Sequence, residues 1–219
     1  MLSGGAKNID EICEALGVAK SGNISHYLHE LISAGFISED RTWNIKSKKE
    51  SNLKLFRLKD NYIWFYLKFI EPNRSKIEHN GFSAESLTNL SGWETIMALQ
   101  FENLVINNRD KLYEILGISI QDVEKSGPFF QKKSLKNKGC QIDLLIQTKF
   151  GTLYLCEIKF YLLEVGKQVI TDIDEKIKRL TYPKGYSIRP VLIHVNGVTR
   201  EVTESGYFDK IVNFSEFLK

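Results

Sequence analysis

The chain has 219 residues, of which 42% are hydrophobic and 26% charged, and a formal net charge of +3. These proportions belong to a globular protein of one large or two small domains and exclude a disordered chain. No apolar run is long enough to cross a bilayer, and residues 1–5 lack the basic and apolar regions of a signal peptide, so the expected compartment is the cytoplasm with no membrane partner. Cys13, Cys140 and Cys156 are odd in number, widely spaced and without a Cys-x-x-Cys pair. That pattern points to core-filling thiols, not to a disulfide framework or a zinc site.

In chain order, Asn8-Ile9-Asp10-Glu11 supplies a helix cap with an acidic residue three positions on, and Ile9, Ile12, Cys13 and Leu16 follow at helical spacing up to Gly17. Ile24, Tyr27, Leu28, Leu31 and Ile32 predict a second amphipathic helix that ends at Gly35. Two short strands follow, 36–39 and 53–58, with the basic loop Lys46-Ser47-Lys48-Lys49 between them. Helix, turn, helix and hairpin together resemble a winged helix-turn-helix domain with its wing. The resemblance implies that the second helix enters the major groove and the wing meets the backbone. Lys20, Ser21, Asn23, Ser25, His26, His29, Lys46, Lys48 and Lys49 would then face DNA. The second helix has few basic residues, however, and phosphate neutralisation normally supplies much of the affinity, so a protein-interaction role is an equal alternative. His26 and His29 lie one turn apart without a third ligand and are expected to face solvent.

Residues 60–70 are strongly aromatic and predict a helix, apolar nearly all round and buried between domains, closed by Glu71-Pro72-Asn73. Residues 73–90 are polar and are read as a linker between a domain over 1–72 and another over 91–219. Ser91-Gly92-Trp93-Glu94 is a capping box that starts a helix over 92–108, with Glu102 between Phe101 and Leu104. A strand is expected over 129–133. Lys132, Lys133, Lys136 and Lys138 form a basic loop after it, either simply solvated or placed to hold a phosphate backbone.

The stretch 141–159 is the most informative. Two apolar, partly alternating runs, 141–148 and 153–160, flank Gly151. A three-residue loop over 149–151 with Gly151 in the left-handed conformation pairs Thr148 with Thr152 and sets Asp143 opposite Glu157. Side chains alternate along a strand, so Asp143, Glu157 and Lys159 share a face. Adjacent carboxylates repel and lose hydration, so partners are required for both. Oxygen ligands from Asp143, Glu157 and the Ile158 carbonyl suit Mg²⁺ or Mn²⁺, whereas a cross-strand ion pair on a surface face is the alternative with equal claim.

An Asp followed by a hairpin and then Glu157-Ile158-Lys159 resembles the core of the PD-(D/E)xK nuclease superfamily. The resemblance implies an α/β (α+β) domain of order αβββαβ over residues 91–219. It also implies metal binding by Asp143 and Glu157, a supporting carboxylate from Glu102, and a Lys159 that positions water and stabilises charge on the phosphate. A Gln168 (or Lys167) early in the next helix, over 168–180 with Asp172, Asp174, Glu175, Lys176, Lys178 and Arg179 on its exposed face, would lie near the scissile phosphate. The Tyr found four residues after that Gln in one branch is Asp172 here, which does not fit that branch. A buried strand over 189–195 and a last strand and short helix over 208–218 complete the domain.

The whole chain, from the winged helix through Phe69-Ile70-Glu71-Pro72-Asn73, Trp93-Glu94 and Phe101-Glu102 to Gln141-Ile142-Asp143 and Cys156-Glu157-Ile158-Lys159, is similar to the C-terminal half of archaeal-type AAA+ ATPases, the region known as DUF234. This resemblance implies DNA as a partner, an ATPase domain in the same or another chain, and admits a homodimer. No phosphate-binding loop is present, because Gly166-Lys167 lacks both the upstream Gly and the following Ser or Thr, so ATP hydrolysis is not expected of these residues. The alternative to a nuclease is a non-catalytic DNA- or protein-binding module that regulates such an ATPase.

Overall fold

The computed structural model describes residues 2–83, 87–133 and 138–219. It is a mixed α/β structure with one two-stranded and one five-stranded sheet. The chain divides into two units, Met1–Asp40 with Leu53–Asn103, and Arg41–Asn52 with Leu104–Lys219. Neither unit is contiguous, and the division runs through the hairpin and through a helix instead of through the polar stretch 73–90 that the sequence marks as a linker.

In the first unit, helix α1 (Ile9–Leu16) opens on the expected capping box: the Asn8 side chain accepts the Asp10 and Glu11 amides, and Glu11 accepts the Asn8 amide. Gly17, left-handed at φ +66°, closes it. Helix α2 (Gly22–Ser33) and the hairpin β1 (Ile37–Trp43) and β2 (Glu50–Leu58) follow, the strands longer than their apolar runs indicate. Ile12, Leu28, Ile37, Phe56, Leu58 and Trp64 form the core. The expectation that Tyr27 and Leu31 join it is corrected: both are exposed, and Ile24, Leu28 and Ile32 supply the packed stripe. The aromatic segment starts as α3 (Asn61–Phe65), capped by Asp60, and loosens into a π-helical turn over 66–70. It does not end at Pro72, which opens a new turn where no amide donor is needed, and α4 (Arg74–Glu78) follows. Nor is it buried all round: Trp64 and Phe69 are buried, Tyr62 and Leu67 exposed. Helix α5 (Trp93–Asn107) carries the boundary between Asn103 and Leu104.

The second unit continues with α6 (Arg109–Leu116), β3 (Val123–Gln131), β4 (Cys140–Thr148), β5 (Thr152–Lys159), α7 (Gln168–Arg179), β6 (Ser187–His194), α8 (Arg200–Glu204) and β7 (Lys210–Asn213). The strands lie side by side in sequence order. β3, β4 and β5 pair antiparallel, and β6 and β7 add parallel, with α7 and α8 as the crossovers that parallel pairing requires. The expected succession of helix, three strands, helix and strand is present, with α6 and α8 added. Leu144, Leu145, Ile146, Gln147 and Thr148 are buried as a continuous run, which a strand covered on both faces demands. Val169, Ile173 and Leu180 of the α7 segment pack into this core, as do Trp43 and Ile45 from the hairpin tip. Among the described residues no helix is long and apolar enough to cross a membrane.

Candidate functional site

The β4–β5 loop fixes the site. Gly151 is left-handed at φ +77°, its amide donates to the Thr148 carbonyl at 3.3 Å, and the Thr148 hydroxyl accepts the Thr152 amide at 3.1 Å. The strands then pair from Gln147 with Leu153 to Leu144 with Cys156, the register predicted from the glycine. Continued by one step, that register sets Asp143 across from Glu157. There the Ile158 amide donates to the carboxylate oxygen Asp143 Oδ2 at 2.9 Å.

Glu157 is only 1% exposed, and protein cations occupy both of its oxygens. Lys159 Nζ lies 2.9 Å from Oε1, and Lys176 Nζ lies 2.5 Å from Oε2 and 3.7 Å from Asp143 Oδ1. The cluster thus holds two carboxylates and two ammonium groups, with Lys176 bridging the acids. Burial, and then the charge of Glu157, holds the Asp143 carboxyl above its ordinary range, against the pull of Lys176 and the Ile158 amide. Burial disfavours both ammonium groups, but the carboxylates outweigh it, and the pKa values of Lys159 and Lys176 are raised. Burial, and then the charges of the two acids, push the Cys156 thiol far up.

Lys176 is the residue the sequence reading missed. The sequence places it on the exposed face of its helix, yet it stands three residues after buried Ile173, on the packed stripe, and four before buried Leu180 just past the helix end. That spacing was the available signal. Its side chain is largely covered and its ammonium reaches the acids, the amphipathic behaviour of long basic side chains. Asp174, placed on the same exposed face, accepts a hydrogen bond from the Tyr207 hydroxyl at 2.7 Å.

Of the other predicted residues, Gln168 is exposed and its amide donates to Asp172 at 3.0 Å. It lies eight residues before Lys176, about 12 Å along the helix axis. Glu102 is half-buried on α5 and belongs to the first unit, whereas the acidic pair belongs to the second. Among the described residues, no group of three or more His, Cys, Asp or Glu side chains is arranged to hold a metal ion. The oxygen donors brought together are those of Asp143 and Glu157.

The basic candidates fall in both units. Lys20 pairs with Asp10 at 2.8 Å, Ser21 precedes α2, Asn23 is exposed, and exposed His26 lies 3.3 Å from Glu30. Lys46 and Lys49 are exposed at the hairpin tip, while Lys48 lies 2.9 Å from Glu124. Lys132, Lys133 and Lys138 are exposed between β3 and β4, and Lys136 lies outside the described residues. Phe130, Gln131, Gly139, Cys140, Gln141, Lys176 and Arg179 line a concavity of about 420 Å³, so Lys176 borders both this hollow and the acidic pair.

No family model matches the chain. An uncharacterized protein of Methanocaldococcus jannaschii is 36% identical over 85 residues, which is 38% of this chain and 18% of that protein. The chain therefore spans less than a fifth of the length of that relative. Among solved structures, a repair endonuclease from Pyrococcus abyssi is similar with a TM-score of 0.33 and 11% identity, over 80% of this chain and 64% of that one.

Proposed function

We propose that the second unit is a divalent-cation-dependent, PD-(D/E)xK nuclease-like domain that hydrolyses DNA phosphodiesters, and that the first unit is a winged helix. The observation that carries the reading is the convergence of Asp143 and Glu157 on a single cationic group, Lys176 Nζ, beside Lys159. The donors fit a hard ion: two carboxylates already share one positive charge, and carboxylate oxygen is the ligand that Mg²⁺ and Mn²⁺ prefer. When bound, such an ion would supply Lewis-acid polarisation of the phosphate and a water of lowered pKa.

The residues of the chain then have separable roles. Asp143 and Glu157 would hold the ion, and the Ile158 amide fixes the Asp143 carboxylate in place. Lys159, anchored on Glu157, orients the attacking water by hydrogen bonding and offsets negative charge as it grows on the phosphate oxygens. Lys132, Lys133 and Lys138 offset the repulsion between the acids and the DNA backbone. The α2 segment Gly22–Ser33 contains no Lys or Arg and exposes Tyr27 and Leu31, which suits a protein partner better than a major groove. An ATPase domain, in the same chain or another, is the partner this reading favours.

One observation favours a second reading. Lys159 and Lys176 already neutralise both acids, so the cluster is complete without metal, as a non-catalytic DNA- or protein-binding regulatory module would require.

The test is a calorimetric titration of Mg²⁺ and Mn²⁺ into the protein and into Asp143→Ala, beside a plasmid-nicking assay. Metal binding and nicking, both lost in the variant with its fold intact, are the expected result. Nicking that survives in Asp143→Ala would overturn the assignment. A salt-sensitive, metal-independent gel shift with no cleavage product would favour the regulatory module.

A further inference from the structure

We propose that Lys176 is the resident counter-ion of the acidic pair and that a divalent cation enters only by displacing it, so that this lysine sets the metal affinity of the site. The inference rests on the metal-binding reading above and gives Lys176 a role that the reading leaves open.

The geometry separates the two lysines. Lys159 touches Glu157 Oε1 alone, at the edge of the pair. Lys176 reaches an oxygen of each acid, 2.5 Å and 3.7 Å away, and so fills the position where an ion shared by both carboxylates must sit. With Lys176 in place the four side chains sum to zero charge, and a divalent ion meets no net attraction. Once its ammonium leaves, the remaining three sum to minus one.

The side chain has somewhere to go. It is 26% exposed, and it borders the concavity whose other basic side chain is Arg179. Rotation about the long stem would move the ammonium from the acids into that hollow without disturbing buried Ile173 on the same helix stripe. There it would stand beside Arg179, where an anionic phosphate could take the place of the carboxylates as its partner.

The experiment is calorimetry with Mn²⁺ and with Ca²⁺, without nucleic acid, on the protein and on Lys176→Gln, Lys176→Arg, Lys159→Gln and Asp143→Asn. Lys176→Gln should bind at least tenfold more tightly than the wild type, a change of about 1.4 kcal/mol. Lys159→Gln should gain less, Lys176→Arg should stay as weak as the wild type, and Asp143→Asn should lose binding. If Lys176→Gln is poorly folded alone, Ca²⁺ should raise its melting temperature by more than it raises that of the wild type. Equal affinity in wild type and Lys176→Gln, with binding lost in Asp143→Asn, would overturn the displacement while leaving the metal site standing. Tighter binding by Lys176→Arg would overturn it too. No binding by any variant at millimolar ion would overturn the inference and the metal reading together.

Discussion

Trp43 and Gln147 are 104 positions apart in the chain, yet their buried side chains meet, the indole Nε1 donating to Gln147 Oε1 at 2.6 Å. The Gln147 amide nitrogen in turn donates to the Ile45 carbonyl at 3.0 Å. One side chain therefore satisfies two groups of the hairpin tip, inside a core where an unpaired donor or acceptor is costly. Gln147→Leu should destabilise the protein by about 2–4 kcal/mol, because each orphaned group costs about 1–3 kcal/mol less whatever apolar packing returns. Urea unfolding measures this; a loss below half a kilocalorie, on the order of a surface change, would refute it.

The two acids should respond in opposite ways when neutralised. Glu157→Gln leaves Lys159 and Lys176, both covered over most of their side chains, without their shared buried carboxylate, and a cost of about 3–5 kcal/mol is expected for removing one partner of a buried pair. Asp143→Asn should leave the metal-free protein as stable as the wild type or more so. Comparison of the two melting temperatures decides it, and an Asp143→Asn protein that melts well below the wild type would sink the claim.

The pH dependence follows from the same carboxyl. Asp143 has its pKa raised above the ordinary 3.8, so between 3.8 and the raised value the folded chain holds a proton that the unfolded chain has released. Stability contributed by this group falls as pH rises through that window and stays lower above it. The stability of Asp143→Asn relative to the wild type should accordingly climb from pH 3.8 upward and then level off. Denaturant titrations between acid and neutral pH would show it, and a difference that shrinks with rising pH contradicts it.

Gly151 should tolerate no ordinary side chain. Its φ of +77° is strained for L residues, and an added Cβ would lie 3.4 Å from the Tyr186 ring. Gly151→Ala should cost about 1–2 kcal/mol, and Gly151→Asn less at the backbone because Asn tolerates the left-handed region. Since this turn sets Asp143 against Glu157, metal binding should weaken alongside stability; unchanged values of both would show that the turn does not hold the register.

Exposed Lys132, Lys133 and Lys138, if they meet phosphates, should each lower the salt dependence of DNA binding when replaced by Ala, by about one unit of the log–log slope. Lys48→Ala should leave that slope alone, because Lys48 is held by Glu124. Fluorescence anisotropy at several salt concentrations separates the two groups. An unchanged slope in the triple variant would remove the loop from the interface.

Much of the site was legible because it is local. A glycine and two alternating runs determine the hairpin register, and the register determines which charges meet. Lys176 was not legible in the same way. On a helix, a lysine among Asp174, Glu175 and Lys178 reads as solvent-facing; its spacing from Ile173 puts it on the packed stripe, but its partner Glu157 lies nineteen residues earlier and on another element. In α2, five apolar positions make a stripe wider than the core beneath it, so periodicity could not say that Tyr27 and Leu31 would stay outside. Helix α6 begins two residues after α5 ends, without Gly or Pro to mark the break, and the π-helical turn at 66–70 has no distinctive composition. Glu102 lies in a helix that crosses the boundary between units, and helical position alone could not decide its side.

The chain passes between its two units three times, after Asp40, after Asn52 and after Asn103. A fragment cut at the polar stretch near residue 90 would therefore begin life with a hole where Trp43 and Ile45 belong, and with Gln147 offering its amide to nothing. Such a fragment would keep every residue of the acidic cluster and still misreport its properties. Only a polypeptide that retains the hairpin can be used to judge what Asp143, Glu157 and their lysines do.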